Sequence, residues 1–219
     1  MRFTTAMFLL ALGCGGSAAP QQPAPGQGRG QTAAPTDIPA GYGTLRRDDI
    51  VVRLATGTVE VQLLPLGEGV IRLLRPDTYQ ALTNLIDSRR NDIAAAARRA
   101  GVPEPTLVMV TFFGLVPQAR FTPDDVTITS RGRLFRPVGV VPMSPAWSSY
   151  QLGAREQAGA LYLFEGGIPF REQLRMSYQS FSSDSWTRSA ALLDQERGAV
   201  LVRAQTGRPP TPADTTTRP

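Results

Sequence analysis

Between Gly41 and Gln205, hydrophobic and polar residues alternate in short runs separated by Gly and Pro, a period of two that predicts strands. Residues 48–55 (DDIVVRLA) and 58–66 (TVEVQLLPL) read as neighbouring strands across a Thr56-Gly57 turn. The run 69–76 (GVIRLLRP) continues the sheet. Residues 106–115 (TLVMVTFFGL) are apolar, β-branched and aromatic throughout, as expected of a central strand. In 125–130 (DVTITS), Val126 and Ile128 alternate with threonines, the turn 131–133 (RGR) follows, and 134–141 (LFRPVGVV) returns. Residues 159–166 (GALYLFEG) and 172–179 (EQLRMSYQ) are expected to pair through the GGIPFR connection, and 198–204 (GAVLVRA) closes the domain. Short alternating strands with Gly/Pro turns predict a mainly β fold, an antiparallel sandwich.

The period changes to that of a helix twice. Over about 77–100, Tyr79, Leu82, Ile86, Ile93 and Ala97 form one stripe, with Pro76-Asp77 as the start signal and Gly101 and Pro103 as the stop. The stripe fails at Arg89-Arg90, which places a break near Asn91. A second, short helix is expected over 185–197, with Trp186, Ala190 and Leu193 on one face and Gly198 as its stop.

The two ends follow neither period. Met1-Arg2 precedes a mostly apolar run, Phe3–Leu12, which as a helix would span about 15 Å, half a bilayer core. That is the length of a signal-peptide core. The run ends in Ala11-Leu12-Gly13-Cys14, which resembles the lipobox of bacterial lipoproteins, although Ala11 stands where that motif usually has Leu. The resemblance implies that residues 1–13 are a signal peptide and that Cys14 is acylated. Residues 14–40 then form a tether, because Pro, Gln, Gly and Ala there offer no apolar face to bury. Residues 206–219 read as a disordered tail for the same reason. The folded domain is expected over 41–205.

Composition narrows the chemistry. The chain has no His, and all 23 basic residues are Arg, so His-dependent nucleophiles, the usual zinc sites, Schiff bases and phosphate-loop lysines are excluded. A single Cys leaves no internal disulfide. Paired carboxylates remain able to hydrolyse glycosides. The net charge of +5 is softened by local pairing: Arg46-Arg47 precedes Asp48-Asp49, and Arg89-Arg90 lies between Asp87 and Asp92. Arg131, Arg133 and Arg136 form the densest uncompensated cluster and are candidate partner-binding residues.

The stretches FTPDDVTITSRGRLFRP, LGAREQAGALYLFEGG and QLRMSY, residues 121–178, resemble a pattern in immunoglobulin-like domains of bacterial lipoproteins of unknown function. The matching features are the charged strand entry at Phe121–Asp125, Gly159 ahead of Phe164-Glu165, and the Leu174 to Tyr178 strand. The helix at 77–100 is not part of that pattern. The resemblance implies a fold and an address and carries no agreed activity.

Other candidate groups have ordinary roles open to them. Asp48-Asp49 and Asp124-Asp125 sit at strand starts, and adjacent strand residues point to opposite faces, so neither pair converges on one atom. Neither has the spacing of an EF-hand loop. Trp147 and Tyr150 lie in a loop, able either to meet a sugar or protein partner or to plug one end of the sandwich. Ser180, Ser182, Ser183 and Ser185 read as a polar loop and helix cap. The expectation is an exported, monomeric lipoprotein of the outer membrane or cell surface, with no cofactor, metal or catalytic residue. It would contact the membrane through its lipid and an envelope protein through its domain, and not nucleic acid. The alternatives are a glycan or cell-wall hydrolase built on Glu104, Glu165 or Asp184, or a small-ligand carrier.

Overall fold

Alternating burial builds two facing antiparallel sheets in the computed structural model, which describes residues 38–207. Cys14, residues 14–37 of the expected tether and the residues after Gly207 lie outside the described residues, while Ile38, expected to belong to the tether, is buried in the core and its carbonyl accepts from Arg72. The strands in chain order are β1 (Val52–Ala55), β2 (Val59–Pro65), β3 (Thr106–Gly114), β4 (Ala119–Arg120), β5 (Val126–Ser130) and β6 (Arg133–Phe135). They continue as β7 (Pro137–Pro142), β8 (Gln151–Leu152), β9 (Gln157–Phe164), β10 (Arg175–Tyr178) and β11 (Phe181–Ser183). One sheet has the order β1-β2-β3-β9-β7 and the other β11-β10-β5-β6, while β4 and β8 pair separately.

The inner face of the larger sheet is set by register. Val61 lies opposite Phe112, and Phe112 opposite Ala158. The small Ala158 leaves room for the ring. From the smaller sheet, Val126, Ile128, Met176 and Tyr178 are buried, and the rings of Tyr178 and Phe112 meet edge-on at 5.5 Å. This contact links the sheets across the core. The fold is therefore the expected mainly β antiparallel sandwich with added helices.

Five helices decorate it among the described residues: α1 (Arg47–Ile50), α2 (Glu68–Ile71), α3 (Pro76–Ser88), α4 (Arg90–Ala100) and α5 (Trp186–Thr206). Helix α4 lies on β7 and β9. The contact is close: a Cβ on Gly139 of β7 would meet the Ala96 Cβ at 3.5 Å, an ordinary packing distance. Helix α5 packs on the segment that leads into β1. Its Trp186 indole N–H donates to the Phe170 carbonyl at 3.1 Å, and the Ser189 hydroxyl donates to the Asp49 carbonyl.

Several local expectations are corrected. Residues 48–50 are a helical turn, not strand, because the Asp49 carboxylate accepts the Arg46 N–H at 2.7 Å and closes the turn. Residues 68–71 are helical too. Val70, Ile71, Leu73 and Leu74 are all buried, and these paired apolar positions around Arg72 do not alternate as a strand would. The expected helix over 77–100 is two, broken at Arg89, whose backbone leaves helical values at φ −108° and ψ 8°. Its start at Pro76 and its left-handed stop at Gly101 fall where the sequence placed them.

The strands β9 and β10 do not pair. β9 lies between β3 and β7 in the larger sheet, and β10 pairs with β5 and β11. The connection between them crosses from one sheet to the other and buries Ile168 and Phe170. The 134–141 stretch divides likewise, β6 staying with β5 and β7 joining β9. Helix α5 does not stop at Gly198 but runs through it to a left-handed Gly207, so 198–204 is helix rather than a closing strand. Phe181–Ser183 is a short strand, and the Ser185 hydroxyl bonds to Ser183 instead of capping α5.

Candidate functional site

The most developed surface feature forms where β7 ends. The Met143 N–H donates to the Gly159 carbonyl, and Pro145–Ser149 then wind into a 3-10 turn with proline at its start. The turn presses Trp147 inward among Phe121 at 5.3 Å, Phe112 at 5.8 Å and Tyr162 at 6.0 Å between ring centres. Only 6% of Trp147 stays exposed, so it is the plug of the two roles open to it. Its partner in the sequence reading has the opposite fate. Tyr150 is 51% exposed and meets Phe121 edge-on at 5.8 Å.

Tyr150 is also held in an unusual backbone state, with φ at +51° and ψ at 22°. The left-handed region is costly for a bulky side chain and persists where surrounding bonds over-determine it. Those bonds are present. The Tyr150 carbonyl accepts the Phe121 N–H at 3.1 Å, and β4 and β8 pair on either side. The Ser149 hydroxyl lies within donating reach of the Ala146 and Gln151 carbonyls, sharing its one hydrogen, and accepts the Gln151 N–H.

Beside Tyr150 runs a groove of about 640 Å³, lined among others by Arg120, Phe121, Thr122, Asp124 and Gln151. Two buried phenols hold its rim. The Tyr162 hydroxyl donates to the Pro123 carbonyl, and the Tyr178 hydroxyl accepts the Thr122 N–H, each at 3.0 Å. Burial drives the Tyr162 phenol far above its ordinary value, and nearby Asp124 adds to the effect. Burial raises Tyr178 as well, against the opposing pull of the Thr122 N–H.

The candidate arginines are not gathered at this groove. Arg131 occupies the hairpin between β5 and β6 and pairs with Glu172. Arg133 pairs with Glu165 at 2.7 Å and lies 4.5 Å above the Phe135 ring. Arg136 is exposed just after β6. The cluster is thus partly compensated by acids distant in sequence, which composition could not reveal.

The carboxylates are similarly dispersed. Asp48 pairs with Arg53, and Asp124 and Asp125 lie in a 3-10 turn from which Asp124 lines the groove. Asp184 makes a two-pronged pair with Arg175, which holds the acid below the usual carboxylate range and raises the arginine. Glu104 is exposed between α4 and β3. A second groove of about 390 Å³, at the end of α4 along Ala97, Arg98 and Gly101, has no acid in its lining. Neither groove sets two carboxylates across from one another. Among the described residues, no group of three or more Cys, Asp or Glu side chains is placed to hold a metal ion.

The sequence marks Phe121 only as part of a charged strand entry and gives no sign of Arg120 or Gln151; the β4–β8 pairing brings all three to Tyr150. Sequence reasoning also passed over Glu196 and Arg203 of α5. These form a two-pronged ion pair at 3.0 and 3.1 Å, and Glu196 accepts both the N–H and the hydroxyl of Thr44. Their seven-residue spacing would have shown it had the helix been extended through Gly198. No helix among the described residues is long and apolar enough to cross a membrane. No protein-family model matches the chain, and neither a curated protein nor a solved structure does so.

Proposed function

We propose that the protein is an exported lipoprotein, acylated at Cys14, that holds a non-catalytic binding domain at a membrane surface. The observation that carries the binding role is Tyr150. A large ring held half-exposed in a left-handed backbone, at the mouth of a groove, is the arrangement of a ligand clamp. The non-catalytic reading is supported by a chain without His or Lys and by a groove lined by one carboxylate, Asp124. The address is supported by the apolar run 3–12 ending at the chain's single Cys. Acyl chains at that residue give stable attachment when two or more are present. Gly15 and Gly16 lack the Asp that commonly retains lipoproteins at an inner membrane, which favours the outer membrane or cell surface.

The address is tested by labelling cells with radioactive palmitate. Label in the wild type and none in Cys14→Ser is the expected result; equal label in both overturns it. The binding role is tested by placing a photo-crosslinker at position 150 of the anchored protein. Reproducible capture that is absent with the crosslinker at Leu201, an exposed α5 position, supports the role. Equal capture at both positions removes it.

A further inference from the structure

We infer that the Tyr150 groove is a site for a neutral saccharide, a short stretch of an uncharged glycan chain. The inference rests on the binding role proposed above and names its ligand class. Three observations carry it. The first is the ring. A pyranose presents a face of C–H bonds with partial positive charge, which matches the negative face of an aromatic ring. Tyr150 has such a face to offer, since its one T-shaped contact with Phe121 can cover at most one of its two faces and the residue stays 51% exposed.

The second observation is the polar lining. Sugar hydroxyls both donate and accept, and so require neighbours of both kinds. Asp124 accepts, Arg120 donates, and the side chains of Gln151 and Thr122 do both. Neither Arg120 nor Asp124 takes part in an ion pair among the described residues, so both retain their bonding capacity for a ligand. Their charges balance. A phosphate or carboxylate ligand would need an excess of cations, and a cationic peptide an excess of acids. A neutral, hydroxyl-rich ligand needs neither.

The third observation is rigidity. Binding is weakened by whatever must be ordered on association. Here the turn is already fixed by the Ser149 bonds, by the β4–β8 pair and by the buried phenols of Tyr162 and Tyr178 under the rim. The groove, at about 640 Å³, is of the size of small-ligand sites.

The test is a titration of the full-length chain in detergent with chitotriose, cellotriose and maltotriose. It is followed by saturation transfer to the sugar C–H protons and by Trp fluorescence, since Trp147 lies beside Tyr150. At least one trisaccharide should bind, with Tyr150→Ala weakening it about 10-fold or more and Tyr150→Phe by less than about 3-fold. Asp124→Asn should weaken it about 3-fold to 10-fold. Phe181→Ala, which removes an exposed ring on β11, should leave it unchanged. Equal loss in Tyr150→Phe and Tyr150→Ala, or loss in Phe181→Ala, overturns the inference. If no trisaccharide binds while the crosslinker at 150 captures a protein, the ligand is a polypeptide, and the saccharide assignment fails while the binding role stands. If neither occurs, both fail.

Discussion

Trp147 and Tyr150 sit on one turn, yet one is core and the other is surface. Trp147→Ala would empty a space bounded by Phe112, Phe121 and Tyr162, and should cost about 3–5 kcal/mol in a urea titration. Tyr150→Ala should cost less than about 1 kcal/mol, because it removes one edge-on contact from a half-exposed ring. A comparable loss in the two variants would mean that Tyr150 is structural. Gly43 makes a sharper case. A Cβ there would overlap the carbonyl groups of Leu73 and Leu74, with backbone on both sides and nothing flexible to yield. Gly43→Ala should therefore lose about 2–3 kcal/mol. Glu196 carries the same segment by charge. It is 8% exposed and serves Thr44 and Arg203 together, while the Arg203 guanidinium also donates to the Tyr42 carbonyl. Glu196→Ala leaves the Thr44 donors without an acceptor and the Arg203 charge without its carboxylate, and should cost about 2–3 kcal/mol, discounted for the partial exposure of Arg203.

Helix α5 shows how an element outruns its own punctuation. Gly198 is exposed, with open space where a Cβ would stand, and contributes no packing to offset its helix propensity. The residues beyond it are held instead by tertiary contacts: Val200 is buried, and Arg203 donates to the Tyr42 carbonyl. Gly198→Ala should raise stability by about 0.5–1 kcal/mol, read as a higher urea midpoint at unchanged slope. If residues 198–204 were the strand their composition suggests, no such gain would follow. The β5–β6 hairpin is the reverse situation. Arg131 at φ +49° and Gly132 at φ +78° make a turn with two left-handed positions, and the sequence RGR announced it correctly.

At the scale of the whole molecule, stability should depend on pH through the phenols that join the sheets. Tyr162 and Tyr178 are both raised above their ordinary value near 10, first by burial. A raised phenol stays protonated in the folded chain when the unfolded chain has already ionised. Its contribution is complete below about pH 10 and is lost as pH climbs beyond it. The urea midpoint should thus hold steady from neutral pH to about 9 and fall above 10. Tyr162→Phe should lower the plateau, since the Pro123 carbonyl loses its donor, and should flatten the alkaline fall. An alkaline limb as steep in that variant as in the wild type would place its cause elsewhere.

Much of this was legible in one dimension. A period of two marks β1, β5 and β10 because one face of each packs against the core. Pro76 and Gly101 bound the helical insertion because a missing N–H and a left-handed stop are properties of single residues. The absence of His and Lys bounds the chemistry whatever the fold. Other features depended on three dimensions. The runs 69–76 and 198–204 carry apolar residues without a strand's alternation, so only their neighbours decide between strand and helix. The partners of β9 and β10 were decided by which sheet could bury the intervening Ile168 and Phe170. The site belongs to this second group. Tyr150 faces solvent because Trp147 fills the core behind the same turn. Its backbone is left-handed because Phe121, distant in sequence, takes the Tyr150 carbonyl as a hydrogen-bond partner. Such bonds join residues far apart in the chain, and no local pattern can encode them.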